Sequence, residues 1–187
     1  FLEAIRVDGS GVQPGSATPN DERLFSEAYT QLMELARGQF RGQRPDQTLQ
    51  PTALVHEVYL KLAAGDGAPP KDHAHLLAVA ATAMRQVLTD HARGRGAKKR
   101  GGGWARMTLS DVSAPGTDWD VLELDEAISR LTKLDERQAK IVELRFFGGL
   151  TIEQTARVLD ISPRTVQLDW QMAKGWLWNE LRGKHSG

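Results

Sequence analysis

Residues 150–181 read "LTIEQTARVLDISPRTVQLDWQMAKGWLWNEL" and contain two helix-start signals close together. The hydroxyl of Thr151 can accept from an orphan amide of a first helix, and Gln154 can reach back to complete a capping box. Ala156, Val158 and Leu159 supply that helix's apolar side. Ser162 is a second N-cap, and Pro163, with its fixed φ and missing N–H, suits the first position of a second helix. Only Asp160 and Ile161 lie between them. So short a connection forces a sharp angle and predicts a left-handed backbone at Asp160, which Asp tolerates better than most residues. The pattern is that of a helix-turn-helix.

Along the second helix Val166, Trp170, Ala173, Leu177 and Leu181 recur at helical spacing and form one buried stripe. The opposite face carries Arg164, Thr165, Gln167, Leu168, Gln171 and Lys174. Base edges in the major groove offer donors and acceptors, and phosphates flank the groove, so hydrogen-bonding and cationic side chains near a helix start suit it. The same composition also fits an ordinary solvated face on a structural helix pair.

The chain has 187 residues, enough for one or two small domains, and its 24 basic and 24 acidic residues cancel. Their distribution is uneven: residues 1–110 hold 14 Lys/Arg against 11 Asp/Glu, and residues 111–187 hold 10 against 13. With no cysteine there is neither a disulfide framework nor a thiolate metal site, which suits a reducing interior. No apolar run reaches membrane-spanning length and nothing resembles a signal peptide, so the expected location is cytoplasmic, with no membrane partner. A chain that opens on Phe1 reads as lacking its true start.

Four further apolar-periodic segments predict helices at 22–40, 51–64, 73–93 and 122–131, with another at 135–147 opened by Asp135 and Gln138 as a capping box. No strand-like alternation is visible, so the expected fold class is all-α. Residues 1–21 form an N-terminal segment, a short amphipathic start followed by a Gly/Pro/Ser-rich loop (7–21) with little means of packing. Residues 22–106 make a first helical domain, 107–121 an acidic linker, 122–183 a second helical domain, and 184–187 a tail.

The end of the first domain is basic. Arg93, Arg95, Lys98, Lys99, Arg100 and Arg106 fall in a stretch without an acid, which suits phosphate neutralisation. A flexible solvated run would look the same. Metal chemistry is not expected: His73 and His75 read as helix-start residues beside the natural cap Asp72, and His56-Glu57 lacks the second His of a zinc-protease motif. No nucleophile, base and orienting acid gather in any segment, so neither an enzyme nor a cofactor is expected.

These residues resemble the bacterial extracytoplasmic-function (ECF) sigma factors of the sigma-70 family. "PTALVHEVYLKL" (51–62) is similar to region 2.2, "HLLAVAATAMRQVLTDHARGRGAKKRGGG" (75–103) to regions 2.3 and 2.4, and "LDEAISRLTKLDERQAKIVELRFFGGL" (124–150) with the helix-turn-helix to region 4. The resemblance implies two small helical domains on a flexible linker, a region 2 bundle and a four-helix region 4, with core RNA polymerase and promoter DNA as partners. It further implies that Ala53, His56, Glu57 and Lys61 meet the β′ clamp helices, with the β flap as a second contact. The loop at 65–72 then captures an unstacked base of the −10 element, which costs a few kcal/mol in roughly every such case. Arg85, Gln86, Thr89, His91 and Arg93 would address the same element, with Arg95, Lys98, Lys99 and Arg100 on phosphates. Arg164, Thr165, Gln167, Leu168, Gln171 and Lys174 would address the −35 element, and the acidic linker would thread towards the RNA exit channel.

Two departures from the family pattern stand out. Gln167-Leu168 replaces a common Lys-Arg pair, which implies fewer phosphate contacts or a different hexamer preference, and Leu168 can instead meet a thymine methyl. In region 2.2 an Asp-Leu-Val-Gln-Glu run is common, whereas this chain reads Ala53-Leu54-Val55-His56-Glu57, so an acid is missing from the polymerase-facing surface. Thr52 lies directly before it and Thr48 one turn earlier. A phosphate at Thr52 would restore negative charge at a helix start, so phosphorylation by a Ser/Thr kinase, or an anti-sigma protein, is the expected control. The alternative function is a stand-alone helix-turn-helix transcriptional regulator.

Overall fold

The computed structural model describes residues 19–39, 49–64, 70–96, 106–108 and 118–183. They form seven α-helices and one short two-stranded ribbon among the described residues. In chain order these are α1 (Pro19–Gln39), α2 (Pro51–Ala64), α3 (His73–Gly96), β1 (Arg106–Thr108), β2 (Asp118–Asp120), α4 (Val121–Leu134), α5 (Glu136–Gly148), α6 (Ile152–Leu159) and α7 (Pro163–Gly183). The all-α class expected from periodicity holds. The ribbon was not expected: β1 and β2 pair antiparallel with Met107 opposite Trp119, and three-residue strands are too short to show an alternation.

In the first half, α1 turns Ala28, Leu32 and Ala36 inward, and α2 turns Leu54, Val55 and Val58 inward. Tyr29 and Tyr59 meet between these helices with ring centroids 5.6 Å apart, and burial, then the neighbouring Tyr29, pushes the Tyr59 phenol up to about 12. Helix α3 is different. It buries Ala74, Leu76, Leu77, Ala78, Ala80, Ala81, Ala83 and Met84 over a broad arc, while Val79 on the remaining side is 44% exposed. An apolar arc that wide belongs to a helix packed against several neighbours, and the alanines let them approach closely. Its start is capped by the Asp72 carboxylate, which accepts from the His75 backbone N–H at 2.8 Å, while His75 Nδ1 accepts from the Lys71 N–H at 3.1 Å. His75 is therefore engaged in the helix start.

In the second half α4 contributes Leu124, Ala127, Ile128 and Leu131 to the core, and α5 contributes Ile141, Val142, Leu144 and Phe147. Each buried leucine or isoleucine contributes about 1.5–3 kcal/mol. The two halves share one continuous buried core, because α3 packs along α5 as well as against α2, and α4 and α6 also touch it. The two halves meet tightly at Gly148. A Cβ there would stand 3.0 Å from both the Ala81 Cβ and the Leu77 carbonyl oxygen of α3, so only glycine lets the backbones meet this tightly. Next to it Gly149 ends α5 in the left-handed region (φ 65°), and the Gln31 amide of α1 donates to its carbonyl at 3.0 Å.

Candidate nucleic-acid interface

The helix-turn-helix is built by the local rules that its residues announce. Thr151 Oγ1 accepts from the Gln154 N–H at 3.1 Å and Gln154 Oε1 accepts from the Thr151 N–H at 2.8 Å, a complete capping box. Asp160 ends α6 at φ 53°, the only positive φ at a non-glycine among the described residues. Ser162 Oγ accepts from the Thr165 N–H at 3.1 Å and opens α7. The predicted stripe is buried throughout: Val166, Trp170, Ala173, Leu177 and Leu181 are all at most 6% exposed.

Helix α7 is then fixed in orientation by charge. Asp169, buried on its inner side, accepts from Arg137 Nε of α5 at 2.7 Å. That hydrogen bond, and then the Asp169 charge, raise the Arg137 pKa above its ordinary value. The Arg145 guanidinium lies 4.9 Å from the Trp170 ring centroid and donates to the Leu150 carbonyl at 3.2 Å, which ties α5, the turn and α7 together.

Arg164, Gln167, Leu168 and Gln171 stand exposed on the outer face of α7. Two other predicted members are partly committed: Thr165 Oγ1 lies 2.8 Å from Ser162 Oγ in the cap, and Lys174 leans 5.6 Å over the Trp170 ring. Met172 is 63% exposed beside Leu168 at 48%, an apolar pair that the face-by-face reading did not single out.

On α2, Thr52, Ala53, His56 and Lys61 are exposed, while Glu57 is half-buried. Glu57 Oε1 lies 2.9 Å from His91 Nε2, and Lys61 Nζ pairs with Asp90 at 3.3 Å. Two of the four residues expected to face polymerase therefore hold α2 against α3.

Part of the far edge of α3 is engaged by the second half. Arg85 donates from Nε to the Asp125 carboxylate at 2.8 Å, from Nη1 to Glu143 at 3.2 Å, and from Nη2 to Ser129 Oγ at 3.1 Å. Thr89 is buried and donates to the Arg85 carbonyl at 2.8 Å. Arg93 Nη2 reaches Asp125 at 3.4 Å, and Gln86 is exposed. Arg95 lies in the last turn of α3. Its side chain, together with Thr48, Lys98, Lys99, Arg100 and residues 65–69, lies outside the described residues.

The partners of Arg85 were not singled out by sequence reading. Glu143 is 8% exposed, and it accepts from Thr82 Oγ1 at 2.7 Å and from Lys140 Nζ at 2.6 Å. Burial pushes its carboxyl up, but the hydrogen bonds from Lys140 and Thr82 and the charges of Lys140 and Arg85 outweigh burial and hold it below the usual range. One signal was available: Glu143 sits inside "KIVELRFF" (140–147), a charge at a position that the surrounding apolar residues would bury.

Two comparisons return nothing, since no curated protein and no solved structure matches the chain. A family model described as "ECF sigma factor" matches residues 10–183.

Proposed function

Since the chain belongs to the ECF sigma factor family, we propose how its parts divide the work of promoter recognition. It is an RNA polymerase sigma factor, a protein that binds core polymerase and promoter DNA. Residues 22–106 act as region 2, which docks on polymerase and opens the −10 element. Residues 122–183 act as region 4, which reads the −35 element, and 107–121 link them. The chain works by binding, in the cytoplasm beside the polymerase. Among the described residues no helix is long and apolar enough to cross a membrane.

The observation that carries the −35 assignment is the exposed face of α7, with Arg164, Gln167, Leu168 and Gln171 held outward by a fully capped helix-turn-helix. Arg164 at the helix start suits phosphate or a guanine edge, and Gln171 suits an adenine edge. In region 2, the exposed Ala53, His56 and Lys61 with Glu57 form the β′-facing side of α2. Arg85, Gln86, Thr89, His91 and Arg93 serve the −10 element, with Arg95, Lys98, Lys99 and Arg100 on its phosphates. The test is reconstitution with core polymerase and run-off transcription across a promoter library. Initiation at a defined set of promoters is the expected result, and operator binding by the free chain without initiation would favour a stand-alone regulator instead.

Thr52 is exposed, and it is the second residue of α2. A phosphate there adds nearly two negative charges where the helix dipole favours them, next to the surface that lacks the family's usual acid. Phosphorylation by a Ser/Thr kinase therefore strengthens polymerase docking. Thr52→Glu should bind core polymerase more tightly than the unmodified chain, and equal binding would remove this mode of control.

A further inference from the structure

We propose that Leu168 and Met172 on α7 read the 5-methyl groups of two consecutive thymines, so that the −35 element of this chain's promoters centres on an A·T step recognised by apolar contact. The inference rests on the assignment of the outer face of α7 to the −35 element.

Away from the buried stripe of α7 run two short rows, each one helical turn long. Gln167 and Gln171 form one and Leu168 and Met172 the other, and all four are exposed. Single exposed apolar side chains are ordinary on a protein surface. Here two large ones, 48% and 63% exposed, stand one turn apart on the same helix. Leu60, Val79 and Leu134, the other exposed large hydrophobics among the described residues, lie on three different helices. Gly175 continues the apolar row, and among the described residues nothing stands within 4 Å of where its Cβ would be. A glycine inside a helix is unfavourable, and this one leaves the surface beside Met172 bare for close approach.

The side chains in the middle of this face select one kind of base pair. Guanine is read by arginine or lysine, and cytosine by a carboxylate. Neither type stands in either row: Arg164 lies at the helix start, Lys174 leans over Trp170, and Asp169 is turned inward to Arg137. Adenine is read by glutamine through N6 and N7, and thymine by apolar contact with its methyl. An A·T pair offers both at once, which suits a glutamine row beside an apolar row. Spacing sets the number of pairs. Residues four apart on a helix have Cβ atoms about 5–6 Å apart, whereas base pairs stack about 3.4 Å apart along the duplex. The unbranched Met172 side chain adapts to that difference, so the two residues reach methyls on neighbouring pairs.

The test uses holoenzyme formed from the full chain and core polymerase. Its preferred −35 sequence is first selected from a randomised library, and two consecutive thymines on one strand are expected in it. Each thymine is then replaced by deoxyuridine, which keeps the base pair and removes only the methyl. Binding should weaken about fourfold for each methyl and about fifteenfold for both, the worth of roughly one buried CH₂ group apiece. Leu168→Ser and Met172→Ser change exposed side chains outside the core, so the variants fold. Each should bind the thymine duplex more weakly and lose its sensitivity to uracil at one of the two positions. A selected sequence without consecutive thymines, or uracil duplexes bound as tightly as thymine ones, overturns the inference. Variants that keep the full uracil penalty overturn it too, and would make the pair a protein-docking patch. A holoenzyme that initiates but ignores the methyls refutes this inference alone, whereas one that initiates nowhere in the library refutes the sigma assignment and the inference with it.

Discussion

Arg85 on α3 and Glu143 on α5 join the two halves of the chain through a contact of 3.2 Å between groups only 18% and 10% exposed. Arg85 cannot be removed without leaving two poorly solvated carboxylates short of a partner. Arg85→Ala should therefore lower unfolding stability by about 2–3 kcal/mol, read from the urea midpoint at constant slope. Arg85→Lys should recover less than half of that, because an ammonium cannot fork between Asp125, Glu143 and Ser129.

Gly148 makes the apolar part of the same seam. An added Cβ would come within 2.6 Å of Leu150 Cδ1, which can swing away, but also within 3.0 Å of Ala81 Cβ and the Leu77 carbonyl, which cannot. Overpacking of this kind costs typically about 1–3 kcal/mol, and replacing a helical glycine returns up to about 1 kcal/mol. Gly148→Ala should lower stability by about 1–2 kcal/mol in a thermal melt. A more stable variant would mean that the halves do not meet there in solution.

The difference between these seam residues and the helix-turn-helix explains what the sequence disclosed. Capping by Thr151, Gln154 and Ser162 acts within four residues and is legible without knowing the fold, as is the left-handed Asp160. The buried stripe of α7 follows from period alone. The packing of α3 on α5 rests on contacts some sixty positions apart, such as Thr82 with Glu143, and no local pattern encodes which apolar faces will pair. The alanine-rich first half of α3 carries the trace of it: an apolar arc wider than one neighbour can cover needs several. For the candidate site, the outer face of α7 was readable because exposure is the complement of the stripe. The engagement of Arg85, Thr89 and His91 was not, because a polar residue on a helix looks the same whether it faces water or a carboxylate from a distant segment.

Asp160 sits at φ 53°, ψ 46°, and its backbone N–H meets the Ala156 and Arg157 carbonyls at the end of α6. A left-handed backbone costs most L-residues roughly 1–2 kcal/mol, and β-branched ones most of all. Asp160→Gly should leave stability unchanged or slightly raised, while Asp160→Val should lower it by about 1–2 kcal/mol and weaken DNA binding by misaligning α7. Equal stability of the two variants in chemical denaturation would contradict the turn geometry.

The Glu143 carboxyl is held below its ordinary value of 4.5, because contacts with Lys140, Thr82 and Arg85 outweigh burial. A lowered folded pKa means that the unfolded chain binds the proton first, so the stabilisation is complete above about pH 4.5 and is lost as pH falls through the lower folded value. Stability measured by denaturant between pH 6 and the acid range should thus fall below about pH 4.5 in the wild type. Glu143→Gln should flatten that fall, and an unchanged acid slope would show that Glu143 is not the titrating group.

On the outer face of α7, Arg164 and Gln171 should differ in kind. Arg164 is exposed in the first turn, and Gln171 is exposed two turns on. If Arg164 neutralises a phosphate, Arg164→Ala weakens holoenzyme binding to all promoters alike and lowers the salt slope by about 1. If Gln171 reads a base, Gln171→Ala costs about 1–3 kcal/mol on the preferred −35 sequence and little on variants at one base pair, which relaxes specificity there. Selection of promoters from a randomised −35 library with each variant holoenzyme separates the two roles: a preserved sequence preference is expected for Arg164→Ala and a lost preference at one position for Gln171→Ala. The opposite pattern would place the arginine on the base and the glutamine on the backbone, and an unchanged library for both would remove α7 from −35 recognition.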